Sequence, residues 1–120
     1  MSSKKILYVD DEADWRAIVA TALEAAGFDV CTVKDASEAM AKAEDGSLGL
    51  VILDLNLAGE NGLMLLKFLR FNHPEVPVLL YTGMAHDDTA VVSMLDQGAD
   101  QYLPKGSMQE LIVAVGAYFR

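Results

Sequence analysis

The sequence predicts an α/β fold, a parallel β-sheet with helices packed on both faces. Short apolar, β-rich runs alternate with longer segments whose apolar residues recur every three or four positions. The first and third runs are almost wholly apolar, as strands buried on both faces must be. Glycine, proline and capping residues separate the segments, with no long polar tract between them.

Each element can be justified in turn. The first strand is expected at Ile6–Val9. Trp15, Ile18, Val19, Ala22, Leu23 and Ala26 then paint one face of a helix, which Gly27 stops by tolerating a left-handed backbone. A second strand follows at Phe28–Val33, and a second helix runs from about Ala36 to Asp45, ahead of Gly46. The third strand is Leu50–Leu53 and the third helix spans about Gly62 to Phe71. His73-Pro74 ends that helix, because proline disfavours helical backbone in the residue before it. The fourth strand is Val76–Tyr81, and the fourth helix opens with Asp87 or Asp88 as N-cap and stops at Gly98. Gln101–Leu103 forms the fifth strand. Ser107-Met108-Gln109-Glu110 opens the fifth helix as a capping box, with Ser107 as N-cap. Without a repeat, linker or low-complexity tract, residues 1–120 read as one domain.

Composition narrows the function classes. A 120-residue chain with 52% hydrophobic residues is globular, and at this size it buries about two-thirds of its unfolded surface. No disulfide or structural metal is then needed for stability. Eighteen acidic against nine basic residues give a net charge of −9, which argues against direct nucleic-acid binding. Such a balance suits a divalent cation or a protein partner. Cys31 is the only cysteine and sits in an apolar run, so it is expected to pack in the core. Met1-Ser2-Ser3-Lys4-Lys5 leads straight into a strand, without the apolar segment of a signal peptide. No stretch approaches the ~20 apolar residues of a membrane span, so a cytoplasmic protein with no membrane association is expected.

In an open parallel sheet, ligands bind beyond the carboxyl ends of the strands. The first strand ends in Asp10-Asp11-Glu12, the third in Asp54-Leu55-Asn56, the fourth in Thr82-Gly83, and the fifth leads to Lys105. One such residue alone is an ordinary cap or turn former. Taken together they converge on one edge from four strands. Asp54 is the sharpest case, because it closes the apolar run Leu50-Val51-Ile52-Leu53 where a carboxylate needs compensation. Clustered carboxylates require a counter-charge, and a hard cation with oxygen ligands suits them. Mg²⁺ typically takes one or two carboxylates and keeps open positions that can hold phosphoryl oxygens. Lys105 and Thr82 add a compact positive charge and a donor for the equatorial oxygens of a transferring phosphoryl group.

These motifs resemble the receiver domain of bacterial response regulators, a CheY-like module of two-component phosphorelay signalling, over essentially all of the chain. The resemblance rests on Val9-Asp10-Asp11-Glu12, Leu53-Asp54, Asn61-Gly62, Tyr81-Thr82-Gly83 and Gly98-Ala99-Asp100-Gln101-Tyr102-Leu103-Pro104-Lys105. It implies a flavodoxin-like (βα)5 three-layer sandwich with strand order 2-1-3-4-5. It also implies a phosphorylation-dependent switch, not a conventional enzyme, with self-catalysed phosphotransfer and slow autodephosphorylation. Asp54 would be the phosphoacceptor, attacking a phosphohistidine of a sensor histidine kinase or a histidine phosphotransfer protein. Asp11 would bind Mg²⁺ (or Mn²⁺) directly and Asp10 through water, with Asp54 and the backbone carbonyl of Asn56 completing the set. Lys105 would pair with Asp54 and then with the phosphoryl group. Thr82 would be drawn toward that group, and Tyr102 would report the movement through its rotamer. The output surface would form around the fourth helix, fifth strand and fifth helix, and would bind a downstream protein or output domain.

Two positions depart from the family pattern. Gly106 stands where a cis proline usually follows the lysine, and Ala58 replaces a proline four residues after the phosphoacceptor. The first change removes most of the reason for a cis bond. Both touch loop geometry and leave the reacting groups in place.

Other residues have bland readings. His73 is expected at the surface, favoured by a helix C-terminus, and His86 in a solvated loop. Trp15 is expected to pack at a core or rim, with the site mouth as the alternative, and Glu12 to be a first-turn helix residue in preference to a third acidic ligand. Asn56 and Met84, each two positions past a site residue, are expected to set phosphate lifetime through water access. The final helix is apolar nearly all round. That marks it either as half-covered by neighbours or as a contact surface for a homodimer mate, output domain or target. Two competing functions are a small Mg²⁺-dependent phosphohydrolase, and a cofactor binder or inactive receiver-like scaffold. Asp54-Leu55-Asn56 lacks the second acid that a phosphohydrolase of the Asp-x-Asp type requires. The retained acidic residues, with no Gly-rich phosphate loop, oppose the other.

Overall fold

The computed structural model describes residues 5–55, 62–83, 93 and 95–119. The strands are β1 Lys5–Val9, β2 Asp29–Val33, β3 Leu48–Leu53, β4 Val78–Thr82 and β5 Gln101–Pro104. The helices are α1 Ala13–Ala25, α2 Ala36–Ala43, α3 Gly62–Asn72 and α4 Met108–Tyr118. All neighbouring strands are parallel, in the order β2-β1-β3-β4-β5, which is the order the resemblance implied. Four helices are complete among the described residues, against the five expected. Most of the expected fourth helix, with Asp87 and Asp88, lies outside those residues. Its end does not, since Ser93, Leu95 and Asp96 are helical and Gly98 N–H donates to Leu95 C=O at 3.1 Å. The expected fifth helix is therefore α4.

Period-two alternation sorts the strand side chains into two cores. Leu7, Val9, Val51, Leu53, Val78 and Leu80 face Ala36, Ala39 and Ala43 of α2 and Leu65, Leu66 and Leu69 of α3. Ile6, Tyr8, Leu50, Ile52, Leu79 and Tyr81 face Val19 and Leu23 of α1 and Leu111 and Val115 of α4. The three layers thus follow from which residues are odd and which even. β4 is as deeply buried as the two strands singled out by composition.

The termini are locally specified. Past α1, Gly27 has φ 98°. Its N–H bonds Glu24 C=O and the Phe28 N–H bonds Leu23 C=O, the paired arrangement that closes many helices. Asp35 caps α2 by accepting from Glu38 N–H at 2.9 Å, and Ser107 caps α4 by accepting from Glu110 N–H at 3.1 Å. α2 ends at Ala43, two residues before the expected Asp45.

Some expectations need correction. On α1 only Val19 and Leu23 are fully buried, while Ile18 is 48% exposed. The buried stripe is narrower than the apolar one because α1 rests on the outer flank of the sheet. α4 is covered more than its composition suggested. Ile112, Ala114, Tyr118 and Phe119 pack partly against the second core, and Val113 stays exposed. His73 is more enclosed than a surface residue, with its ring against Phe68 and its Nε2 3.8 Å from Glu44. Cys31 packs partly buried against the first core, as expected. No described helix is long and apolar enough to cross a membrane.

Gly62, the first residue of α3, lies directly against the chain that follows β3. A Cβ there would stand 2.8 Å from Leu55 Cα and 3.2 Å from the Asp54 carbonyl oxygen. Backbone on both sides leaves little room to yield. Gly62→Ala is expected to lower the unfolding free energy by about 1–3 kcal/mol, as overpacking does. Urea denaturation measures this, and an unchanged midpoint would show that the two segments can separate freely.

Candidate functional site

The site lies at the carboxyl edge of the sheet and is placed there by hydrogen bonds that continue the strand ladders. Asp10 N–H bonds Val33 C=O at 3.1 Å, Asp54 N–H bonds Val9 C=O at 3.0 Å, and Lys105 N–H bonds Thr82 C=O at 3.0 Å. Residues that follow β1, β3 and β5 are thereby held in register with the strand ends. Thr82, the last residue of β4, is fully buried and pairs with Pro104.

Asp10, Asp11 and Asp54 each offer a carboxylate oxygen, and these three atoms lie within 4.8 Å of one another. Asp10 is fully buried and Asp54 is 3% exposed, while Asp11 is half-buried. The counter-charge comes from Lys105, whose Nζ stands 2.6 Å from Asp10 Oδ2 and 2.9 Å from Asp54 Oδ2. Glu12 Oε2 is 3.9 Å away and mostly exposed. Burial lowers the proton affinity of Lys105, but its hydrogen bonds and charge contacts with Asp10 and Asp54 outweigh that and raise it overall. It therefore remains an ammonium at neutral pH.

Asp10 is heavily bonded. Its Oδ1 accepts from Glu12 N–H at 3.0 Å, and its Oδ2 accepts from Lys105 and from the Tyr8 hydroxyl. Tyr8 holds its proton far more tightly than an ordinary tyrosine, chiefly through burial and then through the bond to Asp10 and the nearby carboxylates. It can only donate. The Arg16 guanidinium bonds the Asp10 main-chain carbonyl at 2.8 Å.

Trp15 stands closer to the chemistry than core or rim packing implies, since Lys105 Nζ lies 4.8 Å from the centre of its ring. The Trp15 ring meets Tyr81 edge-on at 6.0 Å and 85°. Gly106 N–H in turn donates to the Tyr81 hydroxyl at 3.2 Å. Burial raises the proton affinity of that hydroxyl, opposed by the Gly106 bond and by the charge on Lys105. Among the described residues no peptide bond is cis, in keeping with glycine after Lys105.

The structure therefore brings together Asp10, Asp11, Asp54 and Lys105, and sets Thr82 on the same edge. Tyr102 is partly buried on β5 and packs against the first core. Glu12 is the N-cap of α1 and not part of its first turn. Asn56, Ala58, Asn61, Met84 and His86 lie outside the described residues. Tyr8 was not anticipated, and Tyr81 only as part of the Tyr81-Thr82-Gly83 motif. Their partial signal is that each shares a strand face with the core yet carries a hydroxyl that needs some partner when buried.

The residues fit a divalent cation on their own chemistry. Three convergent carboxylates, two of them buried, supply hard oxygen donors and more negative charge than one ammonium balances. Comparison with known proteins places the chain among relatives. The profile of the response regulator receiver domain matches residues 6–116. The nitrogen assimilation regulatory protein NtrX of Azorhizobium caulinodans is 36% identical over 112 residues, covering 92% of this chain and 24% of that protein. The phosphate regulon transcriptional regulatory protein PhoB of Pseudomonas aeruginosa is 33% identical over 123 residues, covering 100% of this chain and 53% of that protein. The chain thus spans about half or less of the length of these curated relatives. Among solved structures, a CheY-like receiver domain protein from Methanospirillum hungatei has a TM-score of 0.88 at 30% identity, covering 97% of this chain and 93% of that one. NtrX from Brucella abortus has a TM-score of 0.85 at 36% identity, covering 98% of this chain and 26% of that one. Strand order, site and family match coincide, and the chain belongs to the response regulator receiver domain family, the phosphorylation-dependent signalling switches of two-component systems.

Proposed function

We propose that Asp54 is the phosphoacceptor, and that Asp10, Asp11, Asp54 and the Asn56 backbone carbonyl hold Mg²⁺ beside it, with Mn²⁺ able to substitute. One observation carries this reading: a buried carboxylate at the end of a central strand, within 4.8 Å of two others and bonded to a buried ammonium. When bound, the cation supplies charge neutralisation for the phosphoryl oxygens.

An Asp54 carboxylate oxygen attacks phosphorus in line as the bond to the donor breaks. The donor is a phosphohistidine nitrogen of a kinase or phosphotransfer protein, or the acyl oxygen of acetyl phosphate. The leaving group keeps the electron pair, and Asp54 becomes an acyl phosphate. Water later attacks that phosphorus, releasing inorganic phosphate and restoring the carboxylate. Lys105 moves its bond from Asp54 Oδ2 to a phosphoryl oxygen, and Thr82 donates to another. Asn56 and Met84 control the approach of water.

The donors on Asp10 decide how the carboxylates divide their work. Tyr8, Lys105 and Glu12 N–H together occupy both of its oxygens, which suits a ligand acting through water. Asp11, less buried, suits direct ligation. Movement of Thr82, followed by Tyr102, would alter the face formed by the segment before Gly98, β5 and α4. A downstream protein, an output domain or a second copy would read that face. The setting proposed is the cytoplasm, where the acidic surface disfavours direct contact of this segment with nucleic acid.

Incubation with acetyl phosphate and Mg²⁺ is expected to add one phosphoryl mass, read by intact mass spectrometry. Asp54→Asn and chelation of the cation should each abolish the gain. Addition that persists in the Asn variant would place the phosphoryl group elsewhere. Tyr8→Phe removes one donor from the buried Asp10 carboxylate while keeping the ring. Its expected cost is about 1–3 kcal/mol of unfolding free energy at neutral pH, the range for a hydrogen bond to a buried charged group. Chemical denaturation tests this, and no loss of stability would mean that Asp10 does not depend on the hydroxyl.

A further inference from the structure

Trp15, Tyr81 and Gly106 surround Lys105, and none of them carries a reacting group. A lysine side chain has four rotatable bonds and a compact, strongly hydrated head, so nothing intrinsic aims it. Here its side chain is only 5% exposed and its ammonium touches two buried carboxylates. Something must define where it points.

Three contacts do so. Lys105 Nζ lies over the Trp15 ring, 4.8 Å from its centre, within the distance at which an indole face attracts a cation. The lysine stem packs beside Gly83, where a Cβ would meet Lys105 Cδ in van der Waals contact at 3.5 Å. The next residue, Gly106, has φ 149°, a backbone that side-chain-bearing residues rarely adopt, and its N–H bonds the Tyr81 hydroxyl. A proline at that position would have no N–H to give. Tyr81 meets Trp15 edge-on, so loop, strand and helix close a ring of contacts around the lysine.

We propose that Trp15 and Tyr81 are positioning residues for Lys105. The Trp15 face holds the ammonium between Asp10 and Asp54, and the Tyr81 hydroxyl fixes the loop through Gly106. This inference rests on the reading of Asp54 as phosphoacceptor and adds the device that aims its ammonium. It accounts for a tryptophan placed one helical turn past the acidic pair, and for a glycine directly after the lysine.

The test compares Trp15→Leu, Trp15→Phe and Tyr81→Phe, each alone and combined with Lys105→Met. Rates of phosphoryl gain from acetyl phosphate, and of its loss, are followed by intact mass. If the aromatic residues act through the ammonium, Trp15→Leu and Tyr81→Phe each change one of these rates about threefold or more. Trp15→Phe falls between. In the Lys105→Met background those changes disappear, as a double-mutant cycle requires of coupled residues. Equal rate changes in both backgrounds, or none in either, would overturn the proposal, because plain packing does not need the lysine charge.

A second readout does not depend on phosphorylation. Trp15 is the chain's single tryptophan, so its emission reports the contact directly. Lys105→Met should shift that emission, and Tyr81→Phe should shift it the same way by less. An unchanged spectrum in Lys105→Met would refute the contact with the ring. If the unsubstituted chain gained no phosphoryl mass, the Asp54 reading would fall, and the emission arm would still decide whether the ring holds the lysine.

Discussion

Everything at the functional edge depends on how two buried carboxylates are paired. Asp10 and Asp54 have almost no contact with solvent, and an ionised carboxylate in such a place is costly unless it is paired and hydrogen-bonded. Lys105 satisfies both at once, at 2.6 Å and 2.9 Å. Removing one member of such a group leaves a buried charge without its partner, so the three residues form one electrostatic unit. The same unit would suit a cation. Asp11 adds a third carboxylate within reach of the other two, and carboxylates then outnumber the ammonium. A divalent ion with oxygen ligands would complete the balance.

The sheet makes that unit possible by bringing distant residues to one edge. Lys105 lies 95 positions from Asp10 and 51 from Asp54 along the chain, and parallel pairing in the order β2-β1-β3-β4-β5 brings the carboxyl ends of β1, β3 and β5 to one edge, with β4 between β3 and β5. Ladder bonds that run past the strand ends then fix the backbone of Asp10, Asp54 and Lys105. A shift of one residue in any strand would turn its side chains to the other face. It would lose the site and the two-sided core together. The stability of the fold and the geometry of the site are set by the same register.

Much of this was legible in the sequence, for a definite reason. Asp10, Asp54, Thr82 and Lys105 stand at or just past the ends of apolar runs, and in a parallel α/β sheet such positions share one edge whatever the details of packing. Caps were legible too, because Ser107 and Gly27 act through their own backbone neighbourhood. The aromatic neighbours were not. Tyr8 and Tyr81 sit in apolar strands and read as core, and alternation gives the face of a side chain but not the partner of its hydroxyl. Trp15 illustrates the same gap. Helical spacing placed it one turn after the acidic residues, but which side of the ring met Lys105 depended on the crossing of α1 over the sheet. The width of the apolar stripe also misled, since Ile18 belongs to it and is half exposed. Helical period reports which residues share a face, and the depth of that face depends on the neighbouring elements.

A switch built on this edge has a short route for its signal. A ligand or modification shifts a conformational equilibrium only through interactions that differ between the two states. On the proposed reading, a charge arriving on Asp54 would be felt first by Lys105, whose bond to Asp54 Oδ2 would be shared or moved. Its second bond, to Asp10, is held by a carboxylate that Tyr8 and the Glu12 N–H also anchor. Asp10 is thus a fixed end for the lysine. Any displacement of Lys105 passes to Gly106, which is tied to Tyr81 on β4, and to Ser107, which caps α4. Two residues therefore separate the ammonium from the start of a helix. Gly106 and Ser107 are each held by a hydrogen bond, so the lysine joins β5 to α4 through a short link with both of its residues defined.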